Sequence, residues 1–221
     1  MKQFIAIMFI TFLLVLFGFG QEIRDQREAE RVYKQSMIEQ KYNKQYFDEM
    51  HRCERLINEQ KFKEAEASCR LSISYAEKLP KESYMERYSA NAGTGVALLR
   101  QRSAREAILY FEKALEIAKP ILDDTDSETG DVYFLLGQAY HVLKDIPNAR
   151  LYYEKAEKSY RTAFVEIGDD AFFLSPYGKK IKNIVEAHFI LLQDAGLNDD
   201  AEKLKLRLAE TKKEFVKYLE N

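Results

Sequence analysis

Small residues return along this chain at a fixed interval, with bulky apolar residues spaced three and four apart around them. Gly137 precedes Ala149 by 12 residues, Gly95 precedes Ala107 by 12, and Cys53 precedes Ala65 by 12. Ala65, Ala107 and Ala149 stand 42 apart in both steps. Leu136 and Tyr140 flank Gly137, while Tyr153 and Ala156 follow Ala149 at helical spacing. Such a pattern predicts two antiparallel helices that touch closely at Gly137 and Ala149. The second unit repeats it with Gly95, Leu98, Ala107, Phe111 and Ala114, and the first with Cys53, Leu56, Ala65, Cys69 and Ser72. A weaker fourth unit has Phe189, Leu192 and Gly196, then Ala201 again 12 beyond Phe189. The units are read at about residues 46–79, 88–121, 130–163 and 182–215. Independent helices have no reason to keep register, so the constant period outweighs any single motif.

Three stretches depart from the pattern, and the last helix closes it. Residues 1–20 carry one charge, Lys2, then an apolar run from Phe4 to Phe17 and Gly18-Phe19-Gly20. A short basic end, an apolar middle and small exit residues are the layout of a signal peptide. The alternative is an uncleaved anchor over residues 4–19, somewhat short of the ~20 residues a spanning helix usually needs. Residues 21–45 are rich in Glu, Gln, Lys and Arg without Pro or Gly, which predicts a charged helical lead-in. The run EIGDDAFFLS over residues 166–175 stretches the step from Ala149 to Ala201 to 52. Its Phe172, Phe173 and Leu174 are expected to pack under the last hairpin, the alternative being exposure to a partner. Ala201 to Leu219 is amphipathic and is read as the closing helix of the stack.

Local punctuation agrees. Thr125-x-x-Glu128 predicts a capping box, and Ser175-Pro176 a helix start. Only 9 Gly and 4 Pro occur, which suits long helices. The formal net charge of −2 gives no basic excess for nucleic acid. The expected class is all-α, a solenoid of about four helix pairs.

Leu136-Gly137-x-x-Tyr140 followed by Ala149-x-x-x-Tyr153 and Ala156 resembles the tetratricopeptide repeat, whose signature includes L-G-x-x-Y and A-x-x-x-F. The resemblance covers about residues 46–215. The 42-residue period exceeds the usual ~34 of the repeat and is similar to the longer variety found in kinesin light chains and many bacterial proteins. Glu49 and Arg52 in the first unit and Lys205 in the fourth depart from the family pattern. Atypical end units are expected, because each has a neighbour on one side only.

The resemblance implies a concave groove lined by the first helix of each pair. Candidates are Met50, Glu54 and Ile57 in the first unit, Val96 and Leu99 with Ala92 in the second, and Phe134, Gln138 and His141 in the third. Glu186, Ile190 and Gln193 follow in the fourth. About half of these are expected to pack between units instead. The largely apolar middle suits an amphipathic helix or hydrophobic peptide. The paired Lys and Asn with which some members clamp a C-terminal carboxylate are missing. Met50-Glu54, Ala92-Val96 and Phe134-Gln138 stand in their place.

Cys53 and Cys69 face each other across the first hairpin. In an exported protein they are expected to form a disulfide worth ~3 kcal/mol, the alternative being two separate buried thiols. The acidic run Asp123 to Glu128 fails as a calcium loop, since Thr129 and Leu135 occupy the Gly and Glu places. No catalytic motif is visible, and His51, His141 and His188 fall in three different units. The expectation is therefore an exported or membrane-tethered adaptor for a protein or peptide, non-enzymatic, without cofactor, metal or nucleic acid. The membrane would be met only through residues 1–20. The alternative is a self-associating envelope component, a homo-oligomer with no exchangeable ligand.

Overall fold

The computed structural model describes the backbone of residues 2–167 and 176–219, and the side chains of residues 21, 25–163, 176–207 and 209. Among these residues there are eight helices and no strand: α1 (Lys2–Asn58), α2 (Phe62–Ala76), α3 (Tyr84–Arg100), α4 (Ala104–Ala118), α5 (Ser127–Val142), α6 (Ile146–Ile167), α7 (Pro176–Asp194) and α8 (Asn198–Leu219). They pair as four hairpins, α1–α2 to α7–α8, and each second helix also meets the next first helix. Successive first helices approach one another, α1 to α3, α3 to α5 and α5 to α7. Successive second helices do not, among the described residues. Units therefore touch only their neighbours, which is the solenoid arrangement. The asymmetry puts the first helices on the inner side of the stack.

Long charged side chains bridge the outer gaps. Arg70 of α2 donates to Glu106 of α4 at 2.6 Å, and Arg150 of α6 to Asp200 of α8 at 3.0 Å.

The period is written in the backbone as well as in the side chains. Gln60, Arg102, Lys144 and Gly196 close the four hairpins in the left-handed region, with φ of 61°, 66°, 59° and 73°. They are spaced 42, 42 and 52 apart, matching the alanines. After each, the next amide reaches back to the sixth carbonyl of a Schellman cap: Lys61 to Leu56 at 2.9 Å, Ser103 to Leu98 at 3.0 Å, Asp145 to Tyr140 at 3.0 Å and Leu197 to Leu192 at 2.8 Å.

Ala65, Ala107 and Ala149 are fully buried in equivalent places, and Ala201 nearly so. Beside them lies one close approach in each of the first three units. A Cβ on Gly95 would come within 2.5 Å of the Phe111 ring, and one on Gly137 within 2.5 Å of the Tyr153 ring. Cys53 and Cys69 occupy the same two positions in unit 1 and are joined by a disulfide, with Cα atoms 5.3 Å apart. Glu49, an acid where the repeat is usually apolar, is accommodated because Ser68 donates to its carboxylate and to its carbonyl, the latter at 3.2 Å.

Three local expectations are corrected. The lead-in over 21–45 and the first helix of unit 1 are one helix, because no Gly or Pro interrupts good helix formers before Asn58. The Thr125 capping box does not form. Asp126 is the N-cap of α5 and makes no side-chain cap bond, while the Thr125 hydroxyl donates to Asp123 at 2.5 Å. The Asp123 carboxylate also takes the Thr125 amide, which holds its pKa below the ordinary range. Met50 and Leu99 are each only 9% exposed. Met50 packs among Tyr46, Ala76 and Ala90, and Leu99 joins the main core, so neither lines an open groove. Phe172 to Leu174 lie outside the described residues, as do the side chains of residues 1–20. Among the described residues no helix is long and apolar enough to cross a membrane.

Candidate functional site on the inner helix face

One register position stays open to solvent in every unit. It is held by Glu54, Val96, Gln138 and Ile190, each directly after the close-contact position. Ala92, Val96, Phe134, Gln138 and His141 form its middle, all half-buried. Ile57 is half-buried at one end, and Glu54 is exposed there. Glu186 and Gln193 are exposed at the other end.

The floor of this face is Tyr153, which comes from the second helix of unit 3. Because Gly137 has no side chain, the Tyr153 ring passes beneath it and spreads under the inner face. Its centroid lies 5.9 Å from Phe134 and 6.5 Å from His141, the latter edge-on at 90°. It also lies 5.9 Å from His188 of unit 4. Burial pushes the Tyr153 hydroxyl well above its ordinary pKa, so it stays neutral. Sequence reasoning assigned Tyr153 to the repeat signature and missed this contact with the face. The signal was present in the pairing of Gly137 with an aromatic 16 residues on.

Polar groups hold the joint between units 3 and 4. Lys180 of α7 donates to both Asp131 oxygens, at 2.7 and 2.6 Å, and to the Tyr160 hydroxyl at 2.8 Å. Tyr160 itself donates to Asp131, and burial with this bond raises its pKa. At the other end His141 Nε2 meets Asp194 of α7 at 3.3 Å. His188 sits deeper and is 3% exposed. Neither ring nitrogen has a hydrogen-bond partner among the described residues, and burial lowers its pKa. It lines a cavity of about 160 Å3 with Arg150, Glu154, Asp200 and Arg207.

Among the described residues no cluster of His, Cys, Asp or Glu could hold a metal ion. His51 lies beside Phe47 in unit 1, far along the stack from His141 and His188. The structure thus brings Phe134, Gln138, His141 and Val96 to one face, together with Glu54 and Ile57 at its end.

No curated protein matches the chain. Among solved structures, the TPR domain of Arabidopsis FLU is similar at 23% identity, covering 57% of this chain and 98% of that one with a TM-score of 0.43. Residues 86–162, from α3 into α6 where both glycine–aromatic pairs lie, match the family model described as tetratricopeptide repeat.

Proposed function

We propose that this chain is a protein-interaction adaptor that takes an amphipathic helix or a hydrophobic peptide along its inner face. The observation that carries the reading is the line Glu54, Val96, Gln138 and Ile190. It is open to solvent across four units, while the adjoining Cys53, Gly95 and Gly137 are buried. Around this line Ala92, Val96 and Phe134 make the middle of the face largely apolar, with Gln138 and His141 beside them and Glu54, Glu186 and Gln193 toward the ends, which suits an amphipathic ligand helix. Recognition is by shape, since no paired cation set stands on these helices to seize a terminal carboxylate. The 42-residue period supports placing the chain with the long-period variety seen in kinesin light chains.

Export or tethering through residues 1–20 is part of the proposal. The apolar run with small exit residues supports it, and so does a disulfide between the two cysteines of the chain, a bond that persists in oxidising compartments. The mass of the N-terminus in fractionated cells tests it: a full-length chain in the cytosol with reduced thiols overturns the compartment.

The binding claim is tested with a displayed library of helical peptides selected against the protein. Selected peptides are expected to lose at least tenfold in affinity on Phe134→Glu or Val96→Glu, with helix content unchanged. Peptides indifferent to both substitutions overturn the inner-face reading.

A further inference from the structure

The far end of the stack differs from the joints before it. At the first joint Gly93 of α3 sits over the close-contact pair of unit 1. A Cβ there would meet Met50 at 2.9 Å, Cys69 at 3.1 Å and Cys53 at 3.8 Å. In unit 4 the positions equivalent to Met50, Cys53 and Cys69 are Glu186, Phe189 and Lys205. These three, with Val185 and Ile190, line a cleft of about 400 Å3. By register it is the seat of a next first helix, and no described helix occupies it. Its floor is apolar, Val185, Phe189 and Ile190, with Ile190 50% exposed. Glu186 and Lys205 stand at its edges with one charge of each sign.

The helices that fill the earlier seats share a spacing of i, i+3 and i+7 with small or apolar residues. They present Ala90, Gly93 and Ala97 in α3, Val132, Leu135 and Ala139 in α5, and Ile184, Ala187 and Leu191 in α7. The same positions of unit 1 are Asp48, His51 and Arg55, all exposed and polar, so that part of α1 fits no such seat. Further up α1 the spacing returns as Ala29, Val32 and Ser36, with Tyr33 and Met37 beside them. All five are exposed, Val32 at 64%. At 100° per residue they fall on one side of the helix, whereas Glu28, Glu30, Arg31 and Lys34 fall on the others. Lys34 pairs with Glu30 at 2.6 Å on that charged side. The charges flanking the stripe include both signs, as do those at the edges of the cleft.

We propose that residues 29–37 of α1 in one copy dock into the Val185–Phe189–Ile190 cleft of a second copy, extending the solenoid across the molecular boundary as a ninth helix. The contact is head-to-tail, so it joins unlike surfaces and propagates into a chain or closes into a ring. It uses the end of the stack and the exposed part of α1, and shares Ile190 and Glu186 with the last unit of the inner face, so Val96 and Phe134 variants test ligand binding separately from it.

The test is light scattering on the full-length chain in mild detergent over a wide concentration range, with Val32→Glu and Ile190→Glu variants. Both positions are half or more exposed, so each variant is expected to keep its helix content by circular dichroism. The wild type is expected to at least double its mass as concentration rises, and each variant alone to stay monomeric. An equimolar mixture of the two retains one intact stripe and one intact cleft, and is expected to form dimers and stop there. A monomeric wild type overturns the proposal. So does association that survives Ile190→Glu, which would mean stripe-to-stripe pairing or association through residues 1–20, and so does a mixture that stays monomeric. Should either variant unfold, a disulfide between copies of a Val32→Cys, Ile190→Cys chain replaces it, and its failure to form ladders on a non-reducing gel overturns the proposal equally.

Discussion

At one register, unit 1 sets Cys53 against Cys69 and unit 3 sets Gly137 over the Tyr153 ring. Both bring the two backbones of a hairpin close, yet they distribute the contact differently. The disulfide joins α1 to α2 covalently, and Gly93 of α3 packs over it. The Tyr153 ring runs on beneath the inner face and into unit 4, touching Phe134, His141 and His188. Unit 1 is therefore stabilised locally by a covalent bond, whereas unit 3 is stabilised by a side chain that its neighbours share. In a stack whose energetics add unit by unit, the covalent bond acts chiefly within its own hairpin, while the aromatic ring is a contact that two units share.

The largest expected effect comes from Tyr153→Ala. Emptying a fully buried aromatic site costs about 3–5 kcal/mol. Loss of protection is expected in α5, α6 and α7 together by hydrogen exchange; a change confined to α6 would refute the shared role. Next is reduction of the disulfide, which closes a loop of sequence separation 16 and is worth about 3 kcal/mol in the chain-entropy account. Here the loss of protection is expected in α1 and α2 while α5 and α6 keep theirs. Equal loss across all four units would erase the contrast between units 1 and 3. The smallest effect is at His188, on the far side of Tyr153. Burial disfavours its charged form, so its folded pKa lies below the ordinary 6.5. As pH falls below about 6.5 the unfolded chain binds a proton that the folded one does not, and stability declines toward the folded pKa. Glu154 and Glu157 partly oppose this shift, and Arg150 and Arg207 add to it. The urea midpoint is expected to drop between pH 7 and pH 5.5, and to drop less in His188→Leu. Parallel pH slopes would remove His188 from the account.

Much of the stack was legible because small residues carry geometric information. Ala65, Ala107 and Ala149 mark contact points whatever lies opposite, since only a small side chain fits there. Reach was harder to read. Nothing in the order of residues says that the Tyr153 ring passes under Gly137 to Phe134, because that depends on a rotamer and on the separation of two helices. Met50 and Leu99 sit at the same register as groove-facing neighbours, yet Met50 packs among Tyr46, Ala76 and Ala90 and Leu99 joins the main core. Tyr88 illustrates the same limit. Its equivalent in unit 3 is Gly130, and a Cβ there would meet Ser159 at 2.9 Å and Tyr160 at 3.2 Å. An aromatic from α6 thus takes the place that α3 fills with its own, a swap across helices that a single-helix pattern does not display.

The hairpin bends leave this molecule with unused latitude. Gln60, Arg102 and Lys144 each hold a backbone shape that an L-residue with a side chain adopts at a cost of roughly 1 kcal/mol, while Gly196 holds it freely. None of the three is buried, so none contributes to the core. Glycine at these three evenly spaced bends would therefore raise stability while leaving Val96, Phe134 and Gln138 untouched. Sturdiness at the bends is thus set apart from the composition of the inner face, and the two can change separately.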